Sequence, residues 1–97
     1  MVTITTKERA YLRGLANQID AIFQIGKDGI NENLIKSINE ALTARELIKL
    51  RVLETSGFSA REASEEICEL TNAFPVQCIG SKLVIYKENK ENKKIIL

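Results

Sequence analysis

The run at residues 47–53, L-I-K-L-R-V-L, limits the possible folds more than any other stretch of the chain. It alternates at period two. Ile48, Leu50 and Val52 fall on one side of an extended strand, and Leu47, Lys49, Arg51 and Leu53 fall on the other. The first side is wholly apolar and needs a cover. The second is mixed. Helical patterns flank the strand and can supply that cover. Upstream, Leu34, Ile35, Ile38, Ala41 and Leu42 form an apolar stripe behind Asn31, a suitable N-cap, which predicts a helix over 32–43. Downstream, Ser59-Ala60-Arg61-Glu62 has capping-box spacing and predicts a helix to about residue 72, with Ala63, Ile67 and Leu70 facing inward.

The ends of the chain extend this pattern. Thr5-Thr6-Lys7-Glu8 is a second capping box, and Leu12, Leu15, Ala16 and Ile19 follow at helical spacing. A helix over 6–18 is expected, with Lys7, Arg9 and Arg13 on its outer side. Residues 21–25 read as a short strand, with Ala21, Phe23 and Ile25 pointing one way and Ile22 and Gln24 the other. Residues 75–79 and 82–87 read as two strands joined by Gly80-Ser81, a pair suited to a type II′ hairpin turn. The order is α-β-α-β-α-β-β. Its two β-α-β units should be right-handed parallel crossovers, with an antiparallel strand added by the hairpin. The expected fold class is α/β: a small mixed four-stranded sheet with packed helices. With 97 residues the chain should form one domain, 1–97. The stretch 88–97 is polar until its last three residues and is expected to be a flexible tail.

Composition excludes several classes. At 44% hydrophobic and 28% charged, the chain is too apolar to be disordered. No apolar run approaches the roughly 18 residues of a membrane helix, so no membrane partner is expected. The N-terminus lacks a long apolar signal region, which makes the cytoplasm the expected location. There is no histidine, and the two cysteines, Cys68 and Cys78, have a spacing that matches no zinc or redox motif. Buried free thiols are the expected state of both. No metal, cofactor or catalytic group is nominated, and the chain does not read as an enzyme.

Charge is unevenly distributed behind a net +1. Residues 54–72 hold five acids against one base, whereas 73–97 hold five lysines against two glutamates. Glu62, Glu65, Glu66 and Glu69 share one side of the third predicted helix. A solvated face is the simplest account of them, and a polyanion should not approach from that side. The alternative role for these acids is a protein-docking surface.

The segment I-G-K-D-G-I, residues 25–30, links the first strand to the second helix. Helix N-termini attract anions, and glycines let the backbone come close to a phosphate. Lys27 adds a cationic donor, while Asp28 opposes an anion unless it turns away or serves the turn. A G-x-x-G loop clamping nucleic-acid backbone is used by one class of RNA-binding module. The same residues suit a plain turn.

Four segments together resemble one family: K-E-R-A-Y-L-R-G-L-A-N (7–17), I-F-Q-I-G-K-D-G-I (22–30), E-A-L-T-A-R-E-L-I-K-L-R-V (40–52) and Q-C-I-G-S-K-L-V-I-Y (77–86). The chain resembles the CRM domain in its single-domain bacterial, YhbY-like form. The family pattern leads one to expect histidine at Asn17 and Arg45. The resemblance implies a fold similar to the C-terminal domain of translation initiation factor three, with an added N-terminal helix. It implies RNA binding, association with precursors of the large ribosomal subunit and a role in ribosome assembly, and plant relatives assist group II intron splicing. It places the family's loop on Gly26, Lys27, Asp28 and Gly29. Lys7, Arg9, Arg13, Lys49, Arg51 and Lys82 form a second tier of expected phosphate contacts. Tyr11 and Tyr86 could stack on a base but read as partly buried packing residues. With no tryptophan and few aromatics, the composition suits structured RNA read by shape and backbone better than single strands read by stacking, and the resemblance implies that this RNA is ribosomal. Ribosomal proteins are further candidate partners, and a monomer is expected.

Overall fold

Each of the three described helices starts at a side-chain cap written in the sequence. In the computed structural model, which describes residues 4–89, 91 and 95, Thr5 opens α1 (Thr6–Ala16), Asn31 opens α2 (Glu32–Arg45) and Ser59 opens α3 (Ala60–Thr71). Thr5 and Ser59 form reciprocal capping boxes with Glu8 and Glu62. Each box satisfies backbone donors that the first turn leaves unpaired. The strands are β1 (Ala21–Ile25), β2 (Leu47–Val52), β3 (Phe74–Ile79) and β4 (Lys82–Tyr86), so the expected α/β order holds.

The strands form one sheet in the order β1-β2-β4-β3. β1 pairs with β2 in parallel, while β4 pairs antiparallel with both β2 and β3. The hairpin therefore folds back and inserts β4 between β2 and β3. Gly80 takes the positive φ (+58°) that the first loop residue needs. The sheet is covered on both sides. Ile48, Leu50 and Val52 pack with Ile25, Leu83 and Ile85 against Ile38, Leu42, Ala63 and Ile67 of α2 and α3. On the other side, Leu47, Val76, Val84 and Tyr86 pack against Leu12 and Ala16 of α1. Burial and neighbouring carboxylates push the Tyr86 phenol up to about 12.

Several details differ from expectation, beginning with α1, which ends at Ala16 and not at residue 18. In β1 a register shift pairs Ala21 with Lys49 but Phe23 with Leu50, which breaks the simple alternation. In α3 the buried stripe is Ala60, Ala63, Ser64, Ile67 and Thr71, so Leu70 is left outside and 53% exposed. Cys68 is only partly buried and Cys78 is exposed. Tyr11 is half exposed on α1 and is no core residue.

α2 runs two residues further than its apolar stripe suggested and stops at Glu46, where φ is +64°. This glutamate is fully buried. Its carboxylate accepts the backbone N–H groups of Asn89 and Ile95, each at 2.7 Å, and its carbonyl accepts that of Lys87 at 2.9 Å. A short segment beyond β4 is thereby tied to the end of α2. The rest of the expected flexible tail, residues 90, 92–94 and 96–97, lies outside the described residues. Replacing Glu46 with alanine should cost about 2–4 kcal/mol, because two charge-assisted hydrogen bonds vanish from a dry site. Urea unfolding measures it, and a loss under about 0.5 kcal/mol would show that the tie contributes little.

Candidate nucleic-acid interface

Parallel pairing of β1 and β2 brings their carboxyl ends together. The loops that leave those ends lead into the N-termini of α2 and α3. Two contacts show how close the loops lie. A Cβ added at Gly29 would meet the Phe58 ring at 3.7 Å, and one added at Gly26 would meet Leu53 Cδ1 at 3.8 Å. The N–H of Leu53 donates to the Ile25 carbonyl at 2.9 Å. The β3–β4 turn arrives at the same end, where Val52 N–H donates to the Ser81 carbonyl at 2.6 Å. Two helix N-termini, each with a partial positive charge, thus gather at one end of the sheet with three loops. In open α/β sheets this carboxyl end is the usual ligand side.

The loop Gly26–Lys27–Asp28–Gly29 is a true turn: Gly29 N–H donates to the Gly26 carbonyl at 2.9 Å. Lys27 and Asp28 stand exposed at its apex. The two glycines are not equivalent. Gly29 sits at φ +67°, which disfavours any side chain, whereas Gly26 has an ordinary φ and only van der Waals contact where a Cβ would lie. Gly29 serves the turn. Gly26 has no such need of its missing side chain, which would meet only the Leu53 side chain at ordinary contact distance.

Beside the loop, α1 covers only part of its side of the sheet. Leu47, Val84 and Tyr86 lie beneath the helix. Further along the same strands Arg51 lies opposite Lys82, with Gln24 on its other flank. Lys49 is half-buried between Ala21 and Val84, and Ile79, paired with Lys82, is 63% exposed. The four strands contain no acidic residue. This half-sheet therefore carries Lys49, Arg51 and Lys82 without an opposing carboxylate on its own strands.

Arg9 reaches the same end from α1. It lines a cleft of about 600 Å³ with Ser59 and Arg61 of the α3 start, and with Gln77 and Gly80 of the hairpin. Lys7 and Arg13 stay exposed on α1, with Arg13 one turn further along. Lys27, Arg9, Arg51 and Lys82 thus lie around one end of the sheet, with Lys49 behind them. Arg61 was not anticipated. Its place two residues after a helix cap, at the end that also holds the glycine loop, was the available signal.

Acids are present at this end too: Asp28 shares the loop apex, and Glu32 and Glu54 stand exposed in the first turn of α2 and just after β2. α3 packs on the opposite side of the sheet, and Glu65, Glu66 and Glu69 are exposed on it, Glu65 also lining the Arg9 cleft. Glu65 lies 3.8 Å from Arg61. Glu62 belongs to the cap, where hydrogen bonds from the Ser59 backbone and hydroxyl hold its carboxyl below the usual range. Charge reversal at Glu62 would therefore damage the helix start as well as the surface. Burial pushes the Cys68 thiol up to about 11, which leaves it a neutral, poor nucleophile near pH 7. Among the described residues no group of three or more His, Cys, Asp or Glu side chains is placed to hold a metal ion, and no helix is long and apolar enough to cross a membrane.

Comparison with known proteins finds likenesses over nearly the whole chain. The family model for the CRS1 / YhbY (CRM) domain matches residues 4–87. A Bacillus subtilis (strain 168) protein named Probable RNA-binding protein YqeI is 45% identical over 94 residues, covering 97% of this chain and 98% of the relative. A Haemophilus influenzae protein named RNA-binding protein is 33% identical, covering 96% of this chain and 94% of the relative. The solution structure of the hypothetical protein SAV1595 from Staphylococcus aureus superposes with a TM-score of 0.78 at 49% identity, covering 98% and 99% of the two chains.

The inequality of the two glycines is testable by unfolding. Gly29→Ala should cost about 1–2 kcal/mol through its left-handed backbone. Gly26→Ala should stay within about 0.5 kcal/mol of wild type. Equal losses at both positions would contradict the assignment of the turn to Gly29 alone.

Proposed function

The chain belongs to the CRS1 / YhbY (CRM) domain family, and from that premise we propose that it is a noncatalytic RNA-binding protein that grips the phosphate backbone of structured RNA at the carboxyl end of its sheet. The observation that carries this reading is the convergence there of the glycine loop, two helix N-termini and an acid-free basic half-sheet. Each part favours an anion, and none is specific for a base. The names of the relatives from Bacillus and Haemophilus support RNA as the ligand.

Lys27 at the turn apex supplies the leading charge, and Gly26 and Gly29 keep the loop backbone accessible. Asp28 shares that apex and tempers its charge. Arg51 and Lys82 extend the track over the sheet, with Lys49 at its inner edge and Arg9 at the hairpin side. Lys7 and Arg13 lengthen it along α1. The RNA we propose is ribosomal RNA within precursors of the large subunit, bound in the cytoplasm by a monomer during ribosome assembly. That assignment follows the family resemblance. The basic end itself calls only for a structured polyanion.

A second contact, with a protein, is favoured by one observation. Glu66 and Glu69 lie exposed on the side of the sheet away from Arg51 and Lys82, where RNA is repelled.

Fluorescence anisotropy against a folded large-subunit RNA fragment tests the main reading. Log affinity should fall linearly with log salt. Lys27→Ala and Arg51→Ala should each flatten that slope by about one unit, while Lys36→Ala on α2 should leave it unchanged. Gly26→Asp should weaken binding at least about tenfold, since it puts a carboxylate at the proposed phosphate path. Slopes unaltered by both Lys27→Ala and Arg51→Ala would remove this end of the sheet from the interface.

A further inference from the structure

Leu70 is the residue of the α3 apolar set that the core does not absorb. A single exposed leucine is unremarkable on a protein surface. This one, however, continues into a groove. Between α2 and α3 runs a depression of about 730 Å³ whose floor is Ile30, Ile35 and Leu70. Ile30 and Ile35 are only partly buried, although they pack against the main core. The α2 side of the rim carries Glu32 and Glu40 with one base, Lys36. On α3, Glu66 is exposed one turn before Leu70 and so flanks it on the helix surface. An apolar floor is thus framed by Glu32, Glu40 and Glu66 with one lysine.

We propose that this groove docks a lysine- and arginine-rich amphipathic segment of a partner protein, which sets a large aliphatic side chain over Leu70 and Ile35. The proposal deepens, and rests on, the protein-contact reading above. Charge selects the occupant. RNA and anionic lipid are repelled by the acid rim, and an acidic or neutral helix gains nothing from it. A basic strand of low hydrophobicity satisfies the rim but leaves the floor wet. A basic amphipathic segment satisfies both, as in helix-in-groove recognition. The groove meets the basic end at Ile30 and the start of α2, and a segment seated over Ile35 and Leu70 leaves the glycine loop apex, Arg51 and Lys82 uncovered.

The test uses a fluorescein-labelled amphipathic peptide of lysine, arginine and leucine with leucines at i, i+3 and i+7. A scrambled peptide of identical composition and a glutamate-for-lysine version serve as controls. Binding of each to the full chain is followed by anisotropy. The amphipathic peptide should bind at least tenfold more tightly than the scrambled one, and the acidic version should not bind. Leu70→Ser should weaken binding about tenfold, and Glu40→Lys with Glu66→Lys should weaken it further. Leu70 and both glutamates are exposed, so these variants should retain wild-type unfolding midpoints, and their affinity for the ribosomal RNA fragment should not fall. Equal binding of the amphipathic and scrambled peptides, or an unchanged affinity in Leu70→Ser, would overturn the proposal. Concentration-dependent dimerisation that Leu70→Ser abolishes would also overturn it, in favour of a second copy of the chain. Because RNA affinity is measured on the same variants, failure of the groove is distinguishable from failure of the RNA reading.

Discussion

The fold depends on one strand that is hydrogen-bonded on both edges and has two unlike sides. β2 pairs with β1 in parallel and with β4 in antiparallel fashion. Its Ile48, Leu50 and Val52 anchor the larger core. Its other side begins with Leu47 under α1 and then passes through Lys49 to Arg51 in the open. A charged residue cannot be buried unpaired without a large penalty, so the stretch from Lys49 to Arg51 limits how far α1 can extend its cover. The same seven-residue pattern thereby fixes both the dry part of the sheet and its uncovered basic part.

Parallel pairing has a second consequence. A parallel neighbour requires a crossover, and a crossover helix runs back against its strands. The N-termini of α2 and α3 are thus brought to the carboxyl ends of β1 and β2, with their connecting loops in contact through Gly29 and Phe58. No special residue is needed to create this positive end. The sequence adds Lys27, Arg51 and Lys82 to a site that the topology has already biased toward anions. Three exposed acids cluster on the outer side of α3, while Asp28, Glu32 and Glu54 temper the charge of the carboxyl end.

Much of this was legible in the residues. Thr5, Asn31 and Ser59 mark the helix starts because a short polar side chain at those positions satisfies a specific orphan donor. Period two at 47–53 and Gly80 at the hairpin were equally direct. The glycine loop was legible as a loop, but which glycine the backbone requires was not, since φ at Gly29 depends on how the turn meets α2. The irregularity in β1 was hidden because a five-residue apolar strand fits either alternation. Leu70 misled for a related reason. Helical spacing places it near Ile67 and Thr71, but the width of the stripe that α3 buries is set by the sheet beneath it. The insertion of β4 between β2 and β3 has no local signature, because strand order is decided by long-range packing. Glu46 gave no signal either: its burial becomes sensible only when the backbone of Asn89 and Ile95 arrives to donate to it.

The central claim is that RNA approaches the carboxyl end of the sheet and not its helical flank. The most direct measurement is an amide chemical-shift titration of the isotope-labelled chain with a folded hairpin from large-subunit ribosomal RNA. The account predicts that the largest shifts fall on residues 26–30, on Arg51 and the loop after it through Phe58, and on residues 79–82, while Glu65 to Leu70 stay still. Shifts centred on α3, with the glycine loop unmoved, would contradict it.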